Sequence, residues 1–224
     1  SAGTCGVMGT ASTMALMSEA MGIMLPEGAA IPAVMSDRMR HAEETGSRAV
    51  SMAAENLKPS DIITQDSIDN ALRTLQAIGG STNAIVHIAA VAGRLGLDAS
   101  LDRLDTIGKE TPVLVDLKPA GKNYMEDLYR AGGLAPVLRE IESSLALDAK
   151  TVTGKTLGEN LAASPAAWAQ EIVKPASAPL AENEGMIALR GSLAPNGAVL
   201  KKAAASPDLL QFEGRAVVFE DLED

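Results

Sequence analysis

Apolar positions near the start of the chain recur with a helical period. Met14, Met17, Met21 and Met24 stand at i, i+3, i+7 and i+10, one face of a helix. Thr10 or Ser12 is placed to cap that helix, and the stripe reads as core packing, since methionine fills irregular gaps. The stretch "LPEGAAIP" reads as a connector. A charged helix is predicted from Ser36 over "SDRMRHAEETGSRAVSMAAEN", with His41 among its solvated positions. After a turn at "PSDIITQDS", Ile68, Leu72, Leu75 and Ile78 carry an amphipathic helix that stops at Gly79 and Gly80. Ser81, Thr82 and Asn83, all good N-cap residues, open the next helix. From residue 84 to 95 it is apolar on nearly every side, which predicts a buried central helix with His87 as a hydrogen-bonded core histidine.

Leu101, Leu104 and Ile107 mark a short helix, and "PVLVDL" is the best strand of the first half. "KPAGKNYMEDLYRAGGLAPVLREIESSL" predicts a loop, a helix, a break at Gly132 and Gly133, and a second helix. A further short helix is expected within residues 156–163. The texture then changes near Ser164. "SPAAWAQEIVKPASAPLAENEG" is rich in Pro, Ala and Ser and reads as a linker or extended crossing segment. Beyond it, "MIALRGSLA", "GAVLKKA" and "GRAVVFEDLED" are β-like runs separated by turn residues. Three short strands do not make an independent sheet with a good core, so the β part reads as unfinished. The expected class is α/β. It is mostly helical through residues 1–164, with a linker over 165–183 and the first strands of a β domain over 184–224.

Composition narrows the picture. Hydrophobic residues make up 46% of the 224 and aromatics only 2%, so the core is aliphatic. The balance of 19 basic against 29 acidic residues gives −10, with no block of like charge. That argues against nucleic-acid and anionic-membrane partners. No apolar stretch reaches the roughly 18–20 residues of a membrane span; the longest candidate, "NAIVHIAAVAGRLGL", is broken by His87 and Arg94. A single cysteine excludes an internal disulfide framework and fits a reducing compartment. With no basic n-region leading into an apolar stretch and no starting Met, the chain is expected to be cytoplasmic and a piece of something longer.

That cysteine, Cys5, stands in "SAGTCGVMGTASTM", where glycines and small residues give a thiol little apolar wall but let the backbone approach a ligand closely. Three readings stand: a small buried hydrophobe, a metal ligand, or a nucleophile. A nucleophile wants a base, and the histidines are His41 and His87. A metal site wants more soft ligands, and the chain has none.

The stretch "SAGTCGVMGTASTMALMSEAMGIMLPEGAAIPAV" resembles the surroundings of a cluster-ligating cysteine in the family of dihydroxy-acid dehydratase and phosphogluconate dehydratase. "NALRTLQAIGGSTNAIVHIAAVAGRLG", "LKPAGKNYMEDLYRAGGL" and "GSLAPNGAVLKKAAASP…GRAVVFEDLED" resemble three further stretches of it, in family order. "MGTASTM" looks closer to the sugar-acid members, the arabinonate and xylonate dehydratases; Gly6 departs from the Asn common there. The resemblance implies a hydro-lyase that removes water from a sugar acid or 2,3-dihydroxy acid to give a 2-keto acid. It also implies an iron–sulfur cluster of the [2Fe-2S] type acting as Lewis acid, and Mg²⁺ holding the substrate carboxylate and 2-hydroxyl. A serine takes the C2 proton. Both developing charges must be met where they form.

By this resemblance Cys5 is the last of three cluster cysteines. The other two, with the aspartates and carbamylated lysine of the Mg²⁺ site, belong upstream of Ser1. The completing glutamate and the serine base belong downstream of Asp224. None matches a position here, so no catalytic residue is assigned, and the chain reads as the middle of a homo-oligomeric enzyme, dimer or tetramer.

"GGSTNAIVH" is the second candidate. A helix N-terminus reached through two glycines is a ready anion site, and Ser81, Thr82 and Asn83 are the residues that would meet a substrate carboxylate. The plainer reading is a helix–helix turn with an N-cap. The lysines of "KPAGKNY" face either an acidic substrate or solvent. Two rivals from other classes stand beside the dehydratase: a non-catalytic structural or dimerisation piece, and an anion-binding module built on the GGSTN turn. Flanking cysteines and a downstream serine loop in the gene would separate them.

Overall fold

The structure is a computed structural model that describes residues 5–166, 169–219 and 221. Residues 1–4 of the cysteine loop, 167–168 of the crossing segment, and 220 and 222–224 of the last β-like run lie outside the described residues. The class is α/β with helix dominant. The helices are α1 (Thr10–Ala20), α2 (Ser36–Glu55), α3 (Pro59–Ile62), α4 (Gln65–Ile78), α5 (Asn83–Leu95), α6 (Leu101–Lys109), α7 (Met125–Arg130), α8 (Ala135–Glu140) and α9 (Leu157–Ala163). Two strands follow, β1 (Met186–Leu189) and β2 (Ala198–Lys201), paired antiparallel with Met186 opposite Lys201 and Leu189 opposite Ala198.

The central helix is α4, not α5. Thr64 accepts a hydrogen bond from the Ser67 amide and starts α4, while Gly79, at φ 57°, ends it. Between them α4 packs against α1, α5, α6 and α8. Its Ile68, Leu72 and Leu75 enter one apolar core with Met17, Met21, Ile85, Ile88, Leu104 and Met186. Ala77 and Ile78 at its end enter a second core, with Leu16, Leu114, Leu117, Leu128, Val137, Leu157 and Val173. Gly80 follows because a Cβ there would lie 2.6 Å from Thr13 Cγ2, so α1 crosses this corner at backbone distance.

Further expectations are corrected. First, α1 starts from Gly9 rather than a Thr10 or Ser12 cap, and stops at Ala20, where the chain turns through Gly22 at φ 80°. Met17 and Met21 are buried as the stripe requires, whereas Met14 and Met24 are half-buried at its ends. Second, α5 buries only Ala84, Ile85, Ile88 and Ala92; Val86 and His87 are exposed. Alanine and glycine make its outer face apolar in composition without packing it, so His87 is a surface side chain. Third, residues 112–117 are extended but form single bridges instead of a strand, Val113 with Ala181, Val115 with Val173 and Leu117 with Asn123. Two rungs are met by points eight residues apart on the crossing segment and the third by the loop before α7, so no continuous ladder forms. Residues 173–181 of the crossing segment thus lie along the helical body, with Val173 buried. Fourth, the last β-like run forms no strand among the described residues; residues 211–219 are exposed and unpaired with the hairpin.

The charged helix α2 has the predicted bounds and buries no residue. His41, expected in solvent, is half-buried instead. Its Nε2 lies 3.4 Å from the Leu25 carbonyl oxygen, and it borders an apolar groove of about 700 Å³ beneath α2.

Candidate active site around Cys5

Cys5 is exposed and stands at a cavity of about 380 Å³. Its loop is tied to Lys118 and to the first residue of α7 by two backbone bonds. Met8 N–H donates to the Lys118 carbonyl and Met125 N–H donates to the Gly6 carbonyl, each at 2.9 Å. Ser12 and Ala15 of α1 form one side of the cavity, and Ala29, Ala30, Ile31 and Pro32 form a second. Tyr124 and the first turns of α7 form the third, with Glu126, Asp127 and Arg130. The sequence drew attention to "KNYMEDLYRAGG" without giving these side chains a role. The signal available was a run of mixed charge directly after a glycine loop.

The polar wall is internally matched. Arg130 Nη2 donates to Glu126 Oε1 at 2.6 Å, an i,i+4 pair on an exposed surface. Asp127 Oδ2 accepts the Tyr124 amide at 2.8 Å and so caps α7. Lys118 Nζ donates to the Tyr124 hydroxyl at 2.5 Å and lies 3.9 Å from the ring centre. Of the two lysines in "KPAGKNY", Lys118 is therefore half-buried against Tyr124. A cavity of this size with an Arg, a Tyr and carboxylates at its rim suits a small polar ligand.

As a metal site the described residues are incomplete. Among them no group of three or more His, Cys, Asp and Glu side chains converges. Cys5 is the chain's one thiol, and the nearby carboxylates are already engaged by Arg130 and the Tyr124 amide. An exposed thiol beside a cavity fits one ligand of a shared cluster. It does not make a site alone.

The Ser81–Asn83 turn joins the same end of α1. Thr10 Oγ1 accepts from Asn83 Nδ2 at 2.8 Å and lies 3.3 Å from Ser81 Oγ, while the Ser81 amide donates to Thr13 Oγ1 at 3.0 Å. Ser81 Oγ also accepts the Asn83 amide at 3.3 Å; Thr82, at the N-cap position, makes no side-chain cap bond. Thr82 and Asn83 are exposed. The first turn of α1 thus gathers both sequence candidates. Its Ser12 faces the Cys5 cavity, and its Thr10 and Thr13 hold the turn before α5.

The dihydroxy-acid/6-phosphogluconate dehydratase N-terminal family model matches residues 1–160, and the C-terminal model of the same family matches residues 171–224. The chain belongs to this dehydratase family. It is 50% identical over 226 residues to L-arabinonate dehydratase of Rhizobium leguminosarum bv. trifolii, covering 100% of the chain and 39% of that relative. It is 51% identical over 212 residues to L-arabonate dehydratase of Azospirillum brasilense, covering 93% and 36%. Dihydroxy-acid dehydratase of Caldicellulosiruptor bescii is 42% identical over 224 residues, covering 99% and 40%. The chain therefore spans about two fifths of the length of the curated dehydratases it matches. Among the described residues no helix is long and apolar enough to cross a membrane.

Proposed function

We propose that this chain is the central part of a hydro-lyase that dehydrates a sugar acid, or a related 2,3-dihydroxy acid, to the corresponding 2-keto acid. The observation that carries the reading is the placement of Cys5, the one cysteine of a dehydratase-family chain, at the edge of a polar cavity. Higher identity to the two arabinonate enzymes than to the dihydroxy-acid enzyme favours the sugar acid.

In this reading residues 1–164 are the later half of a cluster-binding domain, 165–183 link it, and 184–224 begin a β domain. Cys5 gives one thiolate to an iron–sulfur cluster of the [2Fe-2S] form, whose remaining ligands, like those of Mg²⁺, come from other parts of the enzyme. When bound, the cluster supplies a Lewis acid for the departing hydroxyl. This chain's own residues bind and orient. Ser81 and Thr82 offer their hydroxyls to the substrate carboxylate from the start of α5, and Asn83 offers the side-chain amide hydrogen that is not given to Thr10. Tyr124 and Arg130 border the cavity where its hydroxyls lie. In this reading the longer enzyme is homo-oligomeric and cytoplasmic.

Cys5→Ser in the longer enzyme is the test. Serine keeps the size but offers a hard oxygen in place of a thiolate. Loss of turnover together with the cluster's visible absorption, in a protein that keeps its helical circular dichroism, is the expected result. Unchanged iron content and rate would make Cys5 merely structural.

A further inference from the structure

Behind the cavity wall sits a carboxyl group that no sequence pattern singled out. Glu19, in the last turn of α1, is 8% exposed. Its two oxygens are both spent on one loop. Oε1 accepts the Glu27 amide at 2.9 Å and Oε2 accepts the Ala29 amide at 2.8 Å. The same loop is held through its carbonyls from α2, where Arg38 Nη2 donates to Gly28 O at 3.0 Å and to Ile31 O at 2.6 Å. An acid takes the N–H groups and an arginine takes the C=O groups, so the backbone of residues 27–31 is fixed from both polarities. Ala29, Ala30 and Ile31 of this loop are a side of the Cys5 cavity.

We propose that Glu19 is a positioning residue, whose carboxylate holds the 27–29 backbone so that Ala29, Ala30 and Ile31 shape the cavity beside Cys5. The inference rests on the reading of that cavity as the reacting site. It concerns a group that touches neither Cys5 nor the cavity itself. The arrangement needs the ionised form, because a protonated carboxyl offers one good acceptor to two amide donors. Burial opposes that form and pushes the Glu19 pKa up to about 7, with the two amides pulling it down and the Glu27 charge adding to the rise. From α8 and α9 the neighbours are Leu138, Leu157, Leu161 and neutral Asn160, and Thr151 closes the side. Among the described residues Glu27 is the charge that faces it; Arg38 and His41 of α2 engage loop carbonyls. Cavity shape is thereby coupled to pH near neutrality.

The experiment follows the Glu27 and Ala29 amides by NMR hydrogen exchange in the full chain, corrected for intrinsic exchange. Between about pH 8 and about pH 5.5, protection of at least one amide is expected to fall about three- to tenfold, the range carried by one net hydrogen bond. A flat profile overturns the proposal, and this measurement needs no variant. In Glu19→Gln the pH dependence is expected to vanish, and the rate of Cys5 alkylation by iodoacetamide at one fixed pH to change at least about threefold. Leu72→Ala, a packing lesion in the other core, is expected to leave that rate alone. Equal alkylation rates in Glu19→Gln and the wild type also overturn it. Neither readout involves turnover or a cluster, so Cys5→Ser can sink the dehydratase reading while these results stand, and the reverse.

Discussion

Gln76 and Met186, 110 residues apart, meet as though a helix carried one rung of a sheet. Gln76 Oε1 accepts the Met186 amide at 2.8 Å, and its Nε2 donates to the Met186 carbonyl at 3.0 Å and to the Leu104 carbonyl at 3.2 Å. The glutamine is fully buried, so its amide is satisfied only because α6 and the start of β1 are docked on α4. Gln76→Leu removes these partners and leaves the Met186 N–H and C=O buried without replacement. A loss of about 2–4 kcal/mol in urea unfolding is expected, with faster amide exchange at Met186. A change below about 0.5 kcal/mol would mean the hairpin docks by apolar contact alone.

Ser81 and Asn83 separate by role. Ser81 Oγ accepts the Asn83 amide, so Ser81→Ala is expected to cost about 0.5–1 kcal/mol of stability. Asn83 is exposed, and among the described residues its side-chain amide donates to Thr10 Oγ1. In the longer enzyme Asn83→Ala is expected to raise KM about tenfold, the worth of a hydrogen bond to a carboxylate, with little change in Tm. Thr82→Ala belongs in the same series. Kinetics untouched throughout would remove this turn from the active site.

Glu27 sits at φ 67°, a left-handed conformation that strains any residue with a Cβ. Glycine relieves the strain and keeps the N–H that Glu19 accepts. Glu27→Gly is therefore expected to gain about 0.5–1 kcal/mol in chemical denaturation, less than the full strain because glycine costs backbone entropy. It also removes the charge facing Glu19, so the Glu19 carboxyl resonance should titrate at lower pH than in the wild type.

Glu19 makes stability fall as pH rises. Its pKa is 4.5 when unfolded and about 7 when folded, so between these values the native state binds more protons. The stabilisation from burying a neutral carboxyl is complete below about pH 4.5 and is lost as pH rises through about 7. The swing is about 3 kcal/mol. Thermal melts across this window should decline in Tm, and Glu19→Gln should flatten the slope. A rising Tm over the same range would contradict the assignment.

The local elements were legible because their signals are local. Ser36 at the start of α2, Gly79 after Ile78 and the spacing of Ile68, Leu72 and Leu75 all lie within a few residues of what they determine. The family was legible from four stretches around Cys5, Ser81, Lys118 and Gly191. Long-range pairings were hidden. Gln76 finds its partner 110 residues on, and Glu19 binds backbone amides that any sequence supplies. Composition misled at α5, where Ala89, Ala90 and Gly93 read as core yet face outward. It misled again at residues 112–117, whose β-branched run finds no single partner strand.

A helix with twenty residues and no buried side chain also sets an order of melting. α2 commits little apolar surface to either core, and is moored at one end by Arg38 and along its length by Arg48, which bonds Val152 O. Helix α4 buries ten of fourteen positions. Opening α2 therefore exposes little that was dry, while opening α4 dissolves both cores at once. In native-state exchange the α2 amides should be released by a sub-global event of low free energy and small denaturant dependence. Those of α4 should wait for the whole chain to come apart.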